Sequence, residues 1–260
     1  MMNKIKVTAV SYLNTKPLLY GIFKSDIESQ IDLQLDIPSV CAERLLSGEA
    51  ELGLVPVAII PFLEDAHIVS DYCIGTNGAV KTVCIYGEVP IEKMDAIYLD
   101  FHSRTSVALT SYLLEKHWRL SPKLLHSQEG YIEQIGEKIG GLVIGDRTIG
   151  LEAQFPYVYD LGSEWKKHTG LPFVFAAWVS NKKLPESFLR SFNQALKAGI
   201  EHIPQLINLM PMSSNNFDLK DYFTNHISYE LDAPKRKALH LFLEYLRAKK
   251  KNIEHRLTMN

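Results

Sequence analysis

Two stretches of the chain gather hydrogen-bonding groups where a strand gives way to a helix. In "DFHSRTS", residues 100–106, the hydroxyls of Ser103, Thr105 and Ser106 surround the first turn of an apolar helical pattern, with Arg104 among them. One side-chain oxygen is enough to cap a helix. Three hydroxyls and a guanidinium exceed that need. Free N–H groups and the macrodipole favour an anion at a helix start, and a carboxylate held there by N–H groups, hydroxyls and arginine would use all of them. The second stretch is "SYLNTKP", residues 11–17. Pro17 suits the first position of a helix, which puts Asn14, Thr15 and Lys16 at its unpaired N–H groups. Asn14 and Thr15 either cap that helix or hold a ligand with Ser11 and Tyr12. Lys16 either adds a positive charge for an acid or faces water.

Two further positions carry chemistry. In "GAVKTV", residues 78–83, Gly78 allows close backbone approach and Thr82 faces a cleft or packs inside, depending on a one-residue register. Asp146 ends the apolar run "GLVIG", where ligands of open α/β sheets gather; capping the following helix is the competing role. Among the nine histidines only His102 adjoins a polar cluster. The chain has no G-x-G-x-x-G, no phosphate-binding G-x-x-x-x-G-K-[ST], no H-E-x-x-H and no G-x-S-x-G, so no motif announces a nucleotide cofactor, zinc or a serine nucleophile.

Positioning these groups falls to alternating short strands and helices, an α/β pattern. Strands are expected at Lys4–Val10, Leu33–Ile37, Leu52–Val55, the "YCIGT" run, Ala96–Asp100, Gly140–Asp146 and "PYVYDLG". Helices are expected over "PSVCAERLL" with Ser39 as its cap, over Ser103–Trp118, over "RTIGLEAQ", and from Ser163. Two long apolar strands, Ala79–Gly87 and Phe173–Asn181, flank the middle block, suggesting that the chain leaves one lobe, builds a second and returns. Residues 1–84 and 179–260 would form lobe one and residues 85–178 lobe two. The remainder from Pro185 to Lys250 reads as mostly helical, broken at "PMSSNNFD", residues 211–218.

Composition narrows the partners. Hydrophobic residues make up 46% and the formal net charge is −2, against the basic excess of a phosphate-backbone reader; no nucleic-acid partner is expected. The basic run Arg247–Arg256 reads as a solvated helix end. No stretch approaches about 20 continuous apolar residues, so no membrane span is expected. Cys41, Cys73 and Cys84 lie in apolar segments without C-x-x-C spacing, as reduced buried thiols do. The opening "MMNKIKVTAVSYL" lacks a signal-peptide apolar core, and a cytoplasmic location is expected. These residues together describe an α/β protein with two helix-start anion sites, suited to a small dicarboxylate.

"VSYLNTKPLLYG", "GAVKTV", "SRTSVALT", "GLVIGD" and "GLPFVFAAW", in that order, resemble the menaquinone-biosynthesis chorismate dehydratase family of the futalosine route. The resemblance implies a periplasmic-binding-protein-like fold of type II, with two lobes joined by two crossover strands and a ligand cleft between them. It implies chorismate as substrate, no cofactor and no metal. Asn14 and Thr82 would be catalytic; a serine is more usual at the second position, and the hydroxyl is kept. Ser103, Thr105 and Ser106 would receive a carboxylate, with Arg104 nearby or packed behind, and Ser11, Thr15 and Asp146 would complete the binding groups. Three groups compete as the base: Asp146, His102 and the substrate's own enolpyruvyl carboxylate, the last favoured. Two other functions share the fold: a solute-binding protein for a small aromatic or dicarboxylic acid, and the sister enzyme that cleaves cyclic dehypoxanthinylfutalosine. The sister is expected to open with an "S-P-x-P-N-D-T"-like segment, which this chain lacks.

Overall fold

A computed structural model describes residues 4–210 and 217–258. The expected break at residues 211–218 therefore lies largely outside the described residues. Eleven strands among the described residues form two sheets. The first holds β1 (Ile5–Val10), β2 (Ile31–Asp36), β3 (Leu52–Pro56), β4 (His67–Thr76), β10 (Phe173–Ser180) and β11 (Ser228–Glu230), in the order β11-β4-β10-β3-β1-β2. The second holds β5 (Val83–Gly87), β6 (Ala96–Leu99), β7 (Lys123–His126), β8 (Ile139–Ile144) and β9 (Tyr157–Asp160), in the order β7-β6-β8-β5-β9. Both sheets mix parallel and antiparallel neighbours. Each is the centre of one lobe.

The sequence explains which strands are central. Every residue of β3, β5 and β10 is buried. Such runs do not alternate because helices cover both faces of the sheet. β10 contributes Phe173, Phe175 and Trp178 to the core, each side chain worth about 1.5–3 kcal/mol when fully buried. The helices are α1 (Lys16–Phe23), α2 (Pro38–Leu46), α3 (Thr105–Leu113), α4 (Leu161–Thr169), α5 (Glu186–Glu201), α6 (Ile203–Leu209), the short α7 (Leu219–Asp221) and α8 (Ala233–Thr258); α2, α3, α4, α5 and α8 pack on strands, while α1 and α6 pack on α5. α1 and α5 cross backbone to backbone. A Cβ on Gly21 would stand 1.9 Å from the Ala195 carbonyl oxygen, and one on Gly199 would stand 2.1 Å from that of Pro17. Only glycine fits there, and this contact seats the helix that begins at the candidate site.

The chain passes between the sheets twice, and both passages differ from the sequence expectation. The strand expected over Ala79–Gly87 begins only at Val83, because Lys81 takes a left-handed φ of 64° and the Asp160 carboxylate accepts the N–H groups of Val80 and Lys81. Those donors are lost to a ladder. The return passage runs through α4, and the strand Phe173–Ser180 pairs within the first sheet. Residues 173–178 thus belong with lobe one, not with the 85–178 block. Asp160 also accepts from Ser163 N at 3.0 Å, so one carboxylate ties both passages together. Burial raises its carboxyl above the usual range, and the N–H donors offset part of that.

Other local expectations shift. The helix expected over "RTIGLEAQ" is two short 3-10 turns, Gly145–Thr148 and Leu151–Ala153, parted by Gly150 at φ 87°. Ser39 does not cap α2; Ile37 stands at that position, with Pro38 following. The helical C-terminal third contains β11, which joins the edge of the first sheet. Gly78 has φ 134° with open space about it, and the close approach falls at Gly162, where a Cβ would lie 2.4 Å from the Gly78 oxygen. The three cysteines are free and buried, and burial pushes the Cys73 thiol up to about 12. No helix among the described residues is long and apolar enough to cross a membrane.

Candidate active site at the lobe interface

Strands β1, β3 and β8 end at a common cavity between the lobes. Its walls are mostly apolar: Val10, Pro56, Ile74, Ile144 and Phe175 are among them. Set into these walls are Tyr12, Asn14, Thr15, Thr82, Ser103, Thr105 and Ser106. A few convergent polar groups in an apolar concavity is the pattern of a small-molecule site.

The start of α3 meets this cavity. Ser103 Oγ accepts from Ser106 N at 2.9 Å and so serves as the cap. Thr105 is buried, and its Oγ1 accepts from Ala58 N of lobe one at 3.2 Å. Ser106 is also buried at the cavity wall, and no hydrogen bond to its Oγ is found among the described residues. Arg104 is absent from the cavity lining: its guanidinium pairs with Glu43 on α2, and its side chain is 43% exposed. The expectation that it stands beside a bound carboxylate does not match this placement, since the nearer acid on α2 captures it.

At the other helix start, a 3-10 turn over Leu13–Thr15 precedes α1, and Pro17 is its second residue. Thr15 does not cap α1 with its side chain; its hydroxyl donates to Asn14 Oδ1 at 3.2 Å. An anion is already present, supplied by the protein. Both oxygens of Asp146 accept from Leu13 N, at 3.1 and 3.3 Å. Burial raises the Asp146 carboxyl above its ordinary value, more than the Leu13 hydrogen bond and the charge of Lys16 lower it. Asp146 does not line the cavity, and neither does Ser11, which is exposed.

Asp146 to Leu13 is one of several contacts between lobes. Tyr12 Oη and His102 Nδ1 share a hydrogen bond of 2.6 Å, the His102 carbonyl accepts from Ser39 N at 3.1 Å, and Thr105 takes Ala58 as above. Gly145, at φ 68°, lies under the Tyr12 ring, where a Cβ would come within 2.7 Å of ring carbons. The cleft is closed. Burial lowers the His102 imidazole, helped by Arg147, and burial raises the Tyr12 phenol, so both rings are neutral near pH 7.

Sequence reasoning missed three groups here. Asp100, a wholly buried carboxylate, accepts from Arg147 at 2.6 and 2.7 Å, from Tyr131 Oη, and from the N–H groups of His102 and Ile144. Its net sets the β6 and β8 ends and brings the Arg147 guanidinium to Phe101, 5.7 Å from the ring centre. Tyr222, from the C-terminal third, bonds to Thr82 Oγ1 at 2.8 Å. "DFH" and "GDR" held a signal for the first two, an acid and a base at neighbouring strand ends. Nothing local marks Tyr222.

A two-lobed α/β chain closed over a polar-studded cavity is a protein of the periplasmic-binding-protein-like fold. It is similar at a TM-score of 0.72 and 16% identity to the protein AF1704 of Archaeoglobus fulgidus, covering 95% of this chain and 98% of that one. It is also similar, at 0.61 and 12% identity over 95% and 93%, to the alkanesulfonate-binding protein SsuA of Xanthomonas axonopodis pv. citri. Within that fold the chain belongs to the menaquinone biosynthesis family, whose model matches residues 5–248. It is 27% identical over 232 residues to a chorismate dehydratase of Thermus thermophilus, covering 81% of this chain and 84% of the relative. A chorismate dehydratase of Campylobacter jejuni is 29% identical over 156 residues, 58% of this chain and 68% of that one.

Proposed function

We propose that this protein is a hydro-lyase that converts chorismate to 3-[(1-carboxyvinyl)oxy]benzoate and water. The observation that carries this reading is the cavity between the lobes that Asn14, Thr82 and the hydroxyl-rich start of α3 line together. The two curated relatives named above support the choice of substrate.

Chorismate carries a ring carboxylate and an enolpyruvyl carboxylate. The proton to be lost sits on the ring carbon bearing the ether, conjugated through a double bond to the ring carboxylate. With that carboxylate at the α3 start, Ser106 Oγ and first-turn N–H groups stabilise the dienolate as charge develops. The adjacent hydroxyl then leaves with a proton as water, and the ring becomes aromatic. No redox change occurs, so the elimination needs no electron carrier. Asn14 and Thr82 steer the proton or the departing hydroxyl.

Among the described residues, no carboxylate or imidazole lines the cavity. Asp146 is engaged by Leu13 N and His102 by Tyr12. That arrangement supports the enolpyruvyl carboxylate as base, with the protein supplying position. The test is to mix purified protein with chorismate and follow product by mass and absorbance. Loss of one water with a new benzoate spectrum is the expected result. Chorismate recovered unchanged overturns the reaction, and if it still raised the melting temperature the pocket would be that of a binding protein.

A further inference from the structure

Tyr222 lies just behind the cavity wall, 1% exposed, in a single wide helical turn, Tyr222–His226. Its hydroxyl is 2.8 Å from Thr82 Oγ1. Seven residues on, Tyr229 Oη donates to the Asn14 main-chain oxygen at 2.9 Å. Two phenols from one C-terminal segment thus grip the two residues that the proposed reaction depends on. A phenol offers one proton and two lone pairs, so Tyr222 can donate to Thr82 or accept from it.

The ring alone does not explain the hydroxyl. Phe223, its neighbour, is equally buried without one, and a buried hydroxyl lacking partners is costly. Nor does the segment depend on that hydroxyl for its place. Asp221 accepts from Lys81 Nζ at 2.7 Å and pairs with His226 Nε2 at 3.0 Å, while His226 Nδ1 meets the Ala79 carbonyl at 2.9 Å. These bonds anchor the turn to the first inter-lobe passage, on which Thr82 sits. Burial raises the phenol well above neutral, so it remains protonated and holds a hydrogen bond.

We propose that Tyr222 is a positioning residue for catalysis: its hydroxyl holds the Thr82 hydroxyl on the inter-lobe passage and sets the direction in which that group faces the substrate. This rests on the chorismate dehydratase reading. It makes the C-terminal segment part of the active site without its touching the ligand.

Tyr222→Phe removes one oxygen and keeps the ring. The expected result is a fall in kcat of about tenfold or more, as for a misplaced catalytic group, with KM within about twofold and melting temperature within a few degrees. Because the effect passes through Thr82, the loss is smaller in a Thr82→Val background than in the wild type. Wild-type kcat in Tyr222→Phe, or a loss fully additive with Thr82→Val, overturns the proposal. If Tyr222→Phe does not fold, 3,5-difluorotyrosine at position 222 keeps the hydroxyl and makes it a stronger donor. Altered kcat at constant KM is then expected, and unaltered kcat overturns it. Wild-type protein inactive on chorismate takes the functional reading and this role together; active wild type with an unaffected variant removes the role alone.

Discussion

The two helix starts at the cavity look alike in sequence, each a strand followed by hydroxyls, an amide or a base, and an apolar helix. The structure gives them different work. At α1 the protein places its own carboxylate, Asp146 from the other lobe, on Leu13 N. That start is a clasp between lobes, and Asn14 beside it lines the cavity. At α3 the capping is done by Ser103, and the neighbouring Ser106 hydroxyl is left at the cavity wall. A helix start is therefore an anion site only in proportion to what the rest of the fold leaves unfilled. Spacing and residue type describe the capacity, and neighbours decide the use.

This contrast can be broken by mutation. The largest effect is expected at Asn14. Asn14→Ala should lower kcat by about 10²–10³-fold, the range for removing one preorganised polar group, with little change in KM. A KM effect alone would make the α1 start a binding site like α3. Ser106→Ala comes next: a hydrogen bond to a charged group is worth about 1.5–3 kcal/mol, so KM should rise roughly tenfold to a hundredfold, more than kcat falls. Steady-state kinetics separate the two, and an unchanged KM would remove the anion from α3.

Asp146→Asn should do less. The amide oxygen still accepts from Leu13 N, and turnover should stay within about tenfold of wild type, whereas loss of a general base costs about 10²–10⁴-fold. A larger fall would make Asp146 the base. This site also has a pH signature. Its folded carboxyl is raised, so between the unfolded value of about 3.9 and the folded one the native state binds more protons, and stability falls as pH rises. Melting curves from pH 3.5 upward should show wild type losing stability relative to the Asn variant through that window; parallel curves would contradict it. The smallest effect is at Arg104. An exposed ion pair is worth about 0–1 kcal/mol, so Arg104→Ala should leave kcat/KM within about twofold, and a large rise in KM would return the guanidinium to the ligand.

Local chemistry was legible wherever the cause was local. Alternation of strands and helices, Pro17 inside α1, the hydroxyls at α3 and the buried runs of β3 and β10 follow from periodicity, caps and apolar content along a few residues. The family resemblance brought the two lobes and the cavity into view, and Asn14, Thr15, Thr82, Ser103, Thr105 and Ser106 do meet there. Arg104 and Arg147 show the limit. Each follows a polar group at a strand end, and where each guanidinium goes is settled by Glu43 and Asp100, acids distant in sequence. The strand Phe173–Ser180 was visible as a strand, but its sheet was not, because pairing joins residues more than a hundred positions apart.

By itself, then, the sequence determined most of the strands and helices, the polar clusters that begin α1 and α3, and the family. Tertiary structure alone decided that Asp146 fills the first cluster, that Tyr12 and His102 meet across a closed cleft, and that Tyr222 reaches Thr82. The physical reason is range. Helix starts and strand patterns arise from forces between near neighbours in the chain, whereas a hydrogen bond between residues 140 positions apart exists only after two lobes and a C-terminal segment have packed.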